Sequence, residues 1–341
     1  MTAQTSMHEI SIAFQTDKRA SDYVALAKLV NPYAFDAVSV YCDAPYHPSY
    51  GPLMLMAPYI EHARLGPAAV SPSRIHPLDV AAQAALLADI AQAGTYIGFA
   101  RGAWLADHSI SETKPAVQAI REAVEVVQQL LRGGAGYHGR VYDLADHVKA
   151  PYPLPEQPIP ILIGTWGQKL CAVAGELADE VKVGGSANPD IVPVIQDYIA
   201  VGEKATGRDI GSVGVVMGAV SVIDDDREQA RQAARRSVAL YLPVVAGLDP
   251  TVSVEPEQMA RIQRYVEQES FDEAAALISD DLLERFAFAG NAQDIIEHCE
   301  RLFDAGTRRI EFGTPHGLQS ATGIRILGEQ VLPALANWRD S

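Results

Sequence analysis

Short, almost wholly apolar runs rich in Val, Ile and Phe recur along the chain, and most are followed by a longer stretch whose apolar positions fall at helical spacing. The clearest unit lies between Pro158 and Pro189. Residues 159–163 read as a strand buried on both faces, stopped by Gly164-Thr165-Trp166-Gly167. Leu170, Val173, Ala174 and Leu177 mark one face of a helix over 169–177, and residues 179–183 form a second strand ending in Gly184-Gly185-Ser186. A right-handed crossover puts both glycine turns at the carboxyl ends of parallel strands, on one side of one sheet. Backbone N–H groups backed by a helix N-terminus suit an anion there. A lone glycine turn is more often only a tight connection, whereas consecutive ones at the same rim point to a shared site.

The same alternation extends in both directions. Strands are expected over 10–14, 37–41, 64–70 and 95–99, with helices over 23–29, 53–62, 78–91 and 115–131. Residues 133–157 are Gly/Pro-rich and read as a surface excursion. Beyond the central unit come a helix over 191–205, a strand over 213–222, several helices within 224–283, a helix over 294–303, a last strand over 308–312 and a closing helix over 322–334. Eight strands alternating with helices, with the informative loops following strands, predict an α/β fold, a (β/α)8 TIM barrel. It is expected as a single domain over 1–341, with a helical insertion between strands seven and eight at about 224–290. An open doubly wound sheet is the alternative, but no G-x-G-x-x-G follows the first strand.

Composition narrows the function. The 341 residues suffice for one large barrel, and 27 basic against 43 acidic side chains give a net charge of −16, which argues against nucleic acid or an anionic membrane as partner. Cys42, Cys171 and Cys299 are too few and too scattered for a disulfide framework or a metal site. With no signal-peptide pattern in the first nine residues and no run of about 18 apolar residues, the expectation is a soluble, cytoplasmic protein.

With the strands placed, the chain resembles the bacterial luciferase-like superfamily, and within it the methylene-tetrahydromethanopterin reductases and related coenzyme F420 (deazaflavin) enzymes. The likeness is carried by Leu65-Gly66-Pro67-Ala68-Ala69-Val70, Ile97-Gly98-Phe99-Ala100-Arg101-Gly102, Ile161-Leu162-Ile163-Gly164-Thr165-Trp166-Gly167-Gln168-Lys169, Ser186-Ala187-Asn188-Pro189 and Gly313-Thr314-Pro315-His316-Gly317. No one of these is specific; their order and spacing together are. The resemblance implies a non-proline cis peptide at Ala68-Ala69 against which a tricyclic ring packs, and a phosphate contact from Arg101, beside Gly102. It implies main-chain binding of the phosphate and tail by Gly164, Thr165, Gly167, Gln168, Gly184, Gly185 and Ser186, with Asn188 in the adjoining segment. Trp166 is expected to stack on the ring or shield the loop.

The resemblance thins at the chemistry. The reductases keep a glutamate in the first strand where this chain has Ala13, a departure that argues against the pterin reaction. Asp43, His47 and His316 are the candidates for proton transfer, all expected at the carboxyl face. The implied function is F420-dependent hydride transfer to or from a small organic substrate. The alternatives are an FMN-dependent monooxygenase supplied by a partner flavin or F420 reductase, and a flavin-binding protein without turnover. A homodimer is expected, and no metal.

Overall fold

A computed structural model describes residues 8–339. The apolar runs form the strands β1 (Glu9–Phe14), β2 (Ala37–Val40), β3 (Arg64–Pro67), β4 (Ile97–Ala100), β5 (Ala135–His138), β6 (Asp143–Lys149), β7 (Ile161–Gly164), β8 (Glu180–Gly184), β9 (Gly214–Ile223), β10 (Ala287–Gly290) and β11 (Arg309–His316). Parallel pairing in the order β3-β2-β1-β11-β9-β8-β7-β4, with bridges Leu65↔Thr95 and Val70↔Phe99 joining the two ends, makes the expected TIM barrel. Side chains alternate along each strand. Ile10, Ile12, Val38, Val40, Ile97, Phe99, Ile161, Ile163, Val181 and Val183 point outward into the buried shell shared with the helices, which is why these strands read as apolar.

Three expectations need correction. The excursion at 133–157 contains the antiparallel hairpin β5–β6. It is fastened by Glu122, on the helix Ala116–Leu131, whose buried carboxylate accepts the backbone N–H groups of Arg140, Val141 and Tyr142 at 2.7–2.8 Å. The helix expected over 53–62 instead runs Tyr50–Met56 and tightens into a single turn, Ala57–Tyr59. The insertion is not wholly helical: after the helices Arg227–Val245, Pro256–Glu267, Phe271–Ala275 and Asp280–Phe286, strand β10 pairs with β9 from Ala287↔Val220 to Gly290↔Ile223, beyond the point where β8 stops.

The insertion has a core of its own, in which Ala234, Val238, Leu242, Leu283 and Phe286 pack around Val222. Trp166 contacts both this core and the main one. Among the described residues no helix is long and apolar enough to cross a membrane, and no metal-ligating cluster occurs. The signal-peptide reading rests largely on residues 1–7, outside those described.

Candidate active site

Inward positions on the strands divide the barrel interior into a polar floor and an open mouth. Near the amino end Arg309 forks onto Glu180, with Nε to Oε1 at 3.0 Å and Nη2 to Oε2 at 2.6 Å, and Arg64 pairs with Glu9. One layer higher Lys182 pairs with Glu311, whose second carboxylate oxygen takes the Ser39 hydroxyl; Ser39 and the Tyr96 hydroxyl lie 2.7 Å apart. Burial alone drives the Glu311 carboxyl up, but the Lys182 and Arg309 cations outweigh it and hold the group below the usual glutamate range. Glu9, Glu180 and Glu311 thus face Arg64, Arg309 and Lys182, so each buried charge has an opposite partner.

Above this floor the inward residues shrink to Ala13, Ala68, Gly98, Gly164, Gly184 and Gly313, so the wall of the mouth is largely main chain. A Cβ on Gly98 would overlap the Pro67 carbonyl oxygen, showing how closely the end of β3 lies on β4. A Cβ on Gly184 would meet nothing within 4 Å. The Ala68-Ala69 peptide is cis, as the resemblance implied.

The loops carrying the predicted residues run around this rim. Ser71 Oγ donates to the Arg101 carbonyl at 2.6 Å, tying the loops after β3 and β4. Gly102 takes a φ of +97°, a left-handed conformation suited to glycine. The Arg101 guanidinium is 55% exposed and its Nε donates to Glu112 at 2.6 Å, so a phosphate there competes with a carboxylate already in place. Because β4 pairs with β7 as far as Ala100↔Gly164, Arg101 borders the turn 165–168. Thr165 Oγ1 accepts the Gly167 N–H at 3.0 Å, and Gly167 precedes the helix Gln168–Leu177. In the first turn of that helix the Leu170 and Cys171 N–H groups donate to the Gly167 carbonyl, while those of Gln168 and Lys169 have no acceptor among the described residues and lie at the rim. Trp166 Nε1 donates to the Gly184 carbonyl at 3.1 Å, joining the β7 and β8 loops and holding the indole in place.

Gly185, Ser186 and Asn188 depart from their expected use. The Gly185 and Ser186 N–H groups donate to the Gly218 carbonyl at 2.6 and 3.1 Å. Buried Asn188 donates through Nδ2 to Asp249 and Thr251, both at 2.8 Å, and accepts from Arg285 at 3.2 Å. Gly185 and Ser186 thus tie the β8 loop to β9, and Asn188 ties it to the insertion, uses set by distant partners.

The proton-transfer candidates separate. Asp43 sits just beyond β2 and accepts from Gln15 Nε2 at 3.3 Å; burial raises its carboxyl above the ordinary 3.8, against opposing pulls from Gln15, Lys182 and Arg74. His47 is exposed at the outer edge, where its backbone N–H donates to the Thr16 carbonyl at 3.1 Å. His316 is fully enclosed: Nε2 lies 3.1 Å from the Ala13 carbonyl, Nδ1 is buried without a partner, and burial lowers its pKa to about 4. A neutral imidazole cut off from the mouth is placed to pack against Phe14, 5.1 Å away between ring centroids, and not to exchange protons with a ligand.

Lys182, Glu311 and Tyr41 drew no notice in the sequence, although the alternation of β2, β8 and β11 assigns all of them inward. A separate cavity of about 310 Å³ lies at the amino end, between the end of helix Ala116–Leu131 and residues 154–161, away from this chemistry.

The family model for luciferase-like monooxygenases matches residues 3–309. The chain is 27% identical over 339 residues to 5,10-methylenetetrahydromethanopterin reductase of Archaeoglobus fulgidus, covering 96% of this chain and 99% of that one. It is 24% identical to an F420-dependent glucose-6-phosphate dehydrogenase of Nakamurella multipartita, covering 95% and 91%. The solved structure of the coenzyme F420 dependent tetrahydromethanopterin reductase of Methanopyrus kandleri superposes with a TM-score of 0.87 at 25% identity, over 96% of this chain and 99% of that one. Fold, rim and sequence agree, and the chain belongs to the luciferase-like monooxygenase family.

Proposed function

We propose that this protein is an F420-dependent oxidoreductase acting on a small organic substrate held over the barrel mouth. The observation that carries this reading is the ring of Gly and Ala at the carboxyl ends of the strands, with the cis Ala68-Ala69 pair at its edge and a helix N-terminus beside it. A flat heterocycle needs main chain within van der Waals reach, and its phosphate needs free amides; the Thr165 and Gly167 N–H groups are taken by the Lys182 carbonyl and Thr165 Oγ1, which leaves those of Trp166, Gln168 and Lys169 to meet it. Two of the relatives named above, the glucose-6-phosphate dehydrogenase and the Methanopyrus kandleri reductase, are F420-dependent and act on different substrates, which supports the cofactor and leaves the substrate open.

In this reading Ala68, Ala69, Gly164 and Gly184 seat the ring, while the Thr165–Gln168 turn, exposed Lys169 and Arg101 take the phosphate. The bound deazaflavin supplies the hydride chemistry. Trp166 keeps water from the β7–β8 side of the mouth. Asp43, raised by burial, holds the proton that accompanies hydride transfer.

Fluorescence titration with F420 and with FMN tests the reading. Saturable F420 binding, together with bleaching or recovery of the deazaflavin absorbance in the presence of an oxidisable or reducible substrate, is expected. Binding of FMN alone, with oxygen uptake on addition of reduced FMN, replaces it with the monooxygenase reading. Binding of either cofactor without turnover of any substrate favours a flavin carrier.

A further inference from the structure

Tyr41 breaks the small-residue pattern of the mouth. It follows β2, and its inward side chain crosses β1, where Ala13 leaves room, to reach β11: a Cβ added to Gly313 would overlap the Tyr41 hydroxyl. Lys182 Nζ lies 5.2 Å from the ring centroid, and that ammonium is already neutralised by Glu311. The ring is therefore fixed from beneath by a cation and at its tip by main chain. Its hydroxyl is different. Among the described residues it makes no hydrogen bond, and the residue as a whole is partly exposed. Burial and the nearby Glu311 and Asp43 carboxylates keep it a phenol, a donor throughout the working pH range.

An immobilised donor with nothing to donate to, standing at β11 across the mouth from the cis pair, is a binding group awaiting an acceptor. We propose that the Tyr41 hydroxyl donates a hydrogen bond to an acceptor atom of the flat heterocycle seated on Ala68-Ala69. The neighbours support this: Ala68 N–H donates to the Val40 carbonyl at 2.8 Å, so the backbone of Tyr41 borders the seat while its hydroxyl reaches β11, and a flat heterocycle that spans the mouth from the cis pair meets it. Lys182, buried and paired with Glu311, is then a positioning residue that packs against the Tyr41 ring. This inference rests on the cofactor reading given under the proposed function.

The test is fluorescence titration of wild type, Tyr41→Phe and Tyr41→Gln with F420 as probe, with thermal melts of each protein. Tyr41→Phe removes one oxygen that has no protein partner, so its melting temperature is expected to match wild type while F420 affinity falls about tenfold, as for loss of one hydrogen bond. Tyr41→Gln, which keeps a donor on a shorter side chain and lacks the ring, is expected to recover little of the affinity. Tyr41→Phe binding F420 within twofold of wild type overturns the inference and leaves the cofactor reading standing. Wild type that fails to bind F420 overturns both.

Discussion

Lys182 and Glu311 form an ion pair across the barrel interior, from β8 to β11, with both residues almost wholly removed from solvent. Their charges are tolerated only because each sees the other. Lys182→Met leaves a buried carboxylate with Arg309 as its remaining cation, and a loss of about 3–5 kcal/mol in a urea melt is expected. Lys182→Met combined with Glu311→Leu removes both charges and is expected to recover most of that loss. Equal stability of the single and double variants contradicts the pairing.

Asp43 binds its proton more tightly in the folded chain than its ordinary value of 3.8, because burial outweighs Gln15, Lys182 and Arg74. A folded state that holds more protons than the unfolded one loses stability as pH rises. Wild type is therefore expected to lose stability relative to Asp43→Asn as pH rises from about 3.8 through the folded value. Paired denaturation curves across that interval read the difference directly.

The buried imidazoles give the opposite slope. His316 and His298 both fall to about 4 from the ordinary 6.5, chiefly through burial, and His298 also lies 2.7 Å from the Ala187 carbonyl. Here the unfolded chain binds more protons, so stability is expected to decline as pH drops from 6.5 towards 4. His316→Asn should flatten part of this acid limb in a pH series of thermal melts.

Gly98 lies against the carbonyl of Pro67, and an added methyl also comes within 3.3 Å of the Ala69 Cβ. Gly98→Ala must push the cis pair off β4. A loss of about 1–3 kcal/mol is expected from overpacking, accompanied by weakened F420 binding. Unchanged affinity in a folded Gly98→Ala protein shows that the ring does not rest there.

Arg101 and Glu112 make a solvent-facing pair, so Arg101→Ala is expected to change stability by less than about 1 kcal/mol. If the guanidinium leaves Glu112 for a phosphate, the same variant weakens F420 binding while Glu112→Gln strengthens it. Titrations of both variants separate this exchange from a purely structural pair.

The barrel was legible because its outward strand faces are packed under helices and carry β-branched side chains, as at Ile10, Ile12, Ile161 and Ile163. The cis peptide at Ala68-Ala69 and the glycine turn over 165–168 could be located from residue order and resemblance. The polar floor could not. Lys182 and Glu311 lie 129 positions apart and look like ordinary strand interruptions until the register brings them together. The same holds for Asn188, whose partners Asp249, Thr251 and Arg285 belong to the insertion, and for hairpin β5–β6, whose fastening by Glu122 has no local signature. Strand β10 is so short that its pairing with the free end of β9 defines it, not its composition.

The Gly/Ala rim has an evolutionary corollary. Peptide groups are the same in every sequence, so a perch made of them survives drift that would erase one made of side chains. A lineage can thus exchange the acids, bases and substrate contacts around such a perch without rebuilding it.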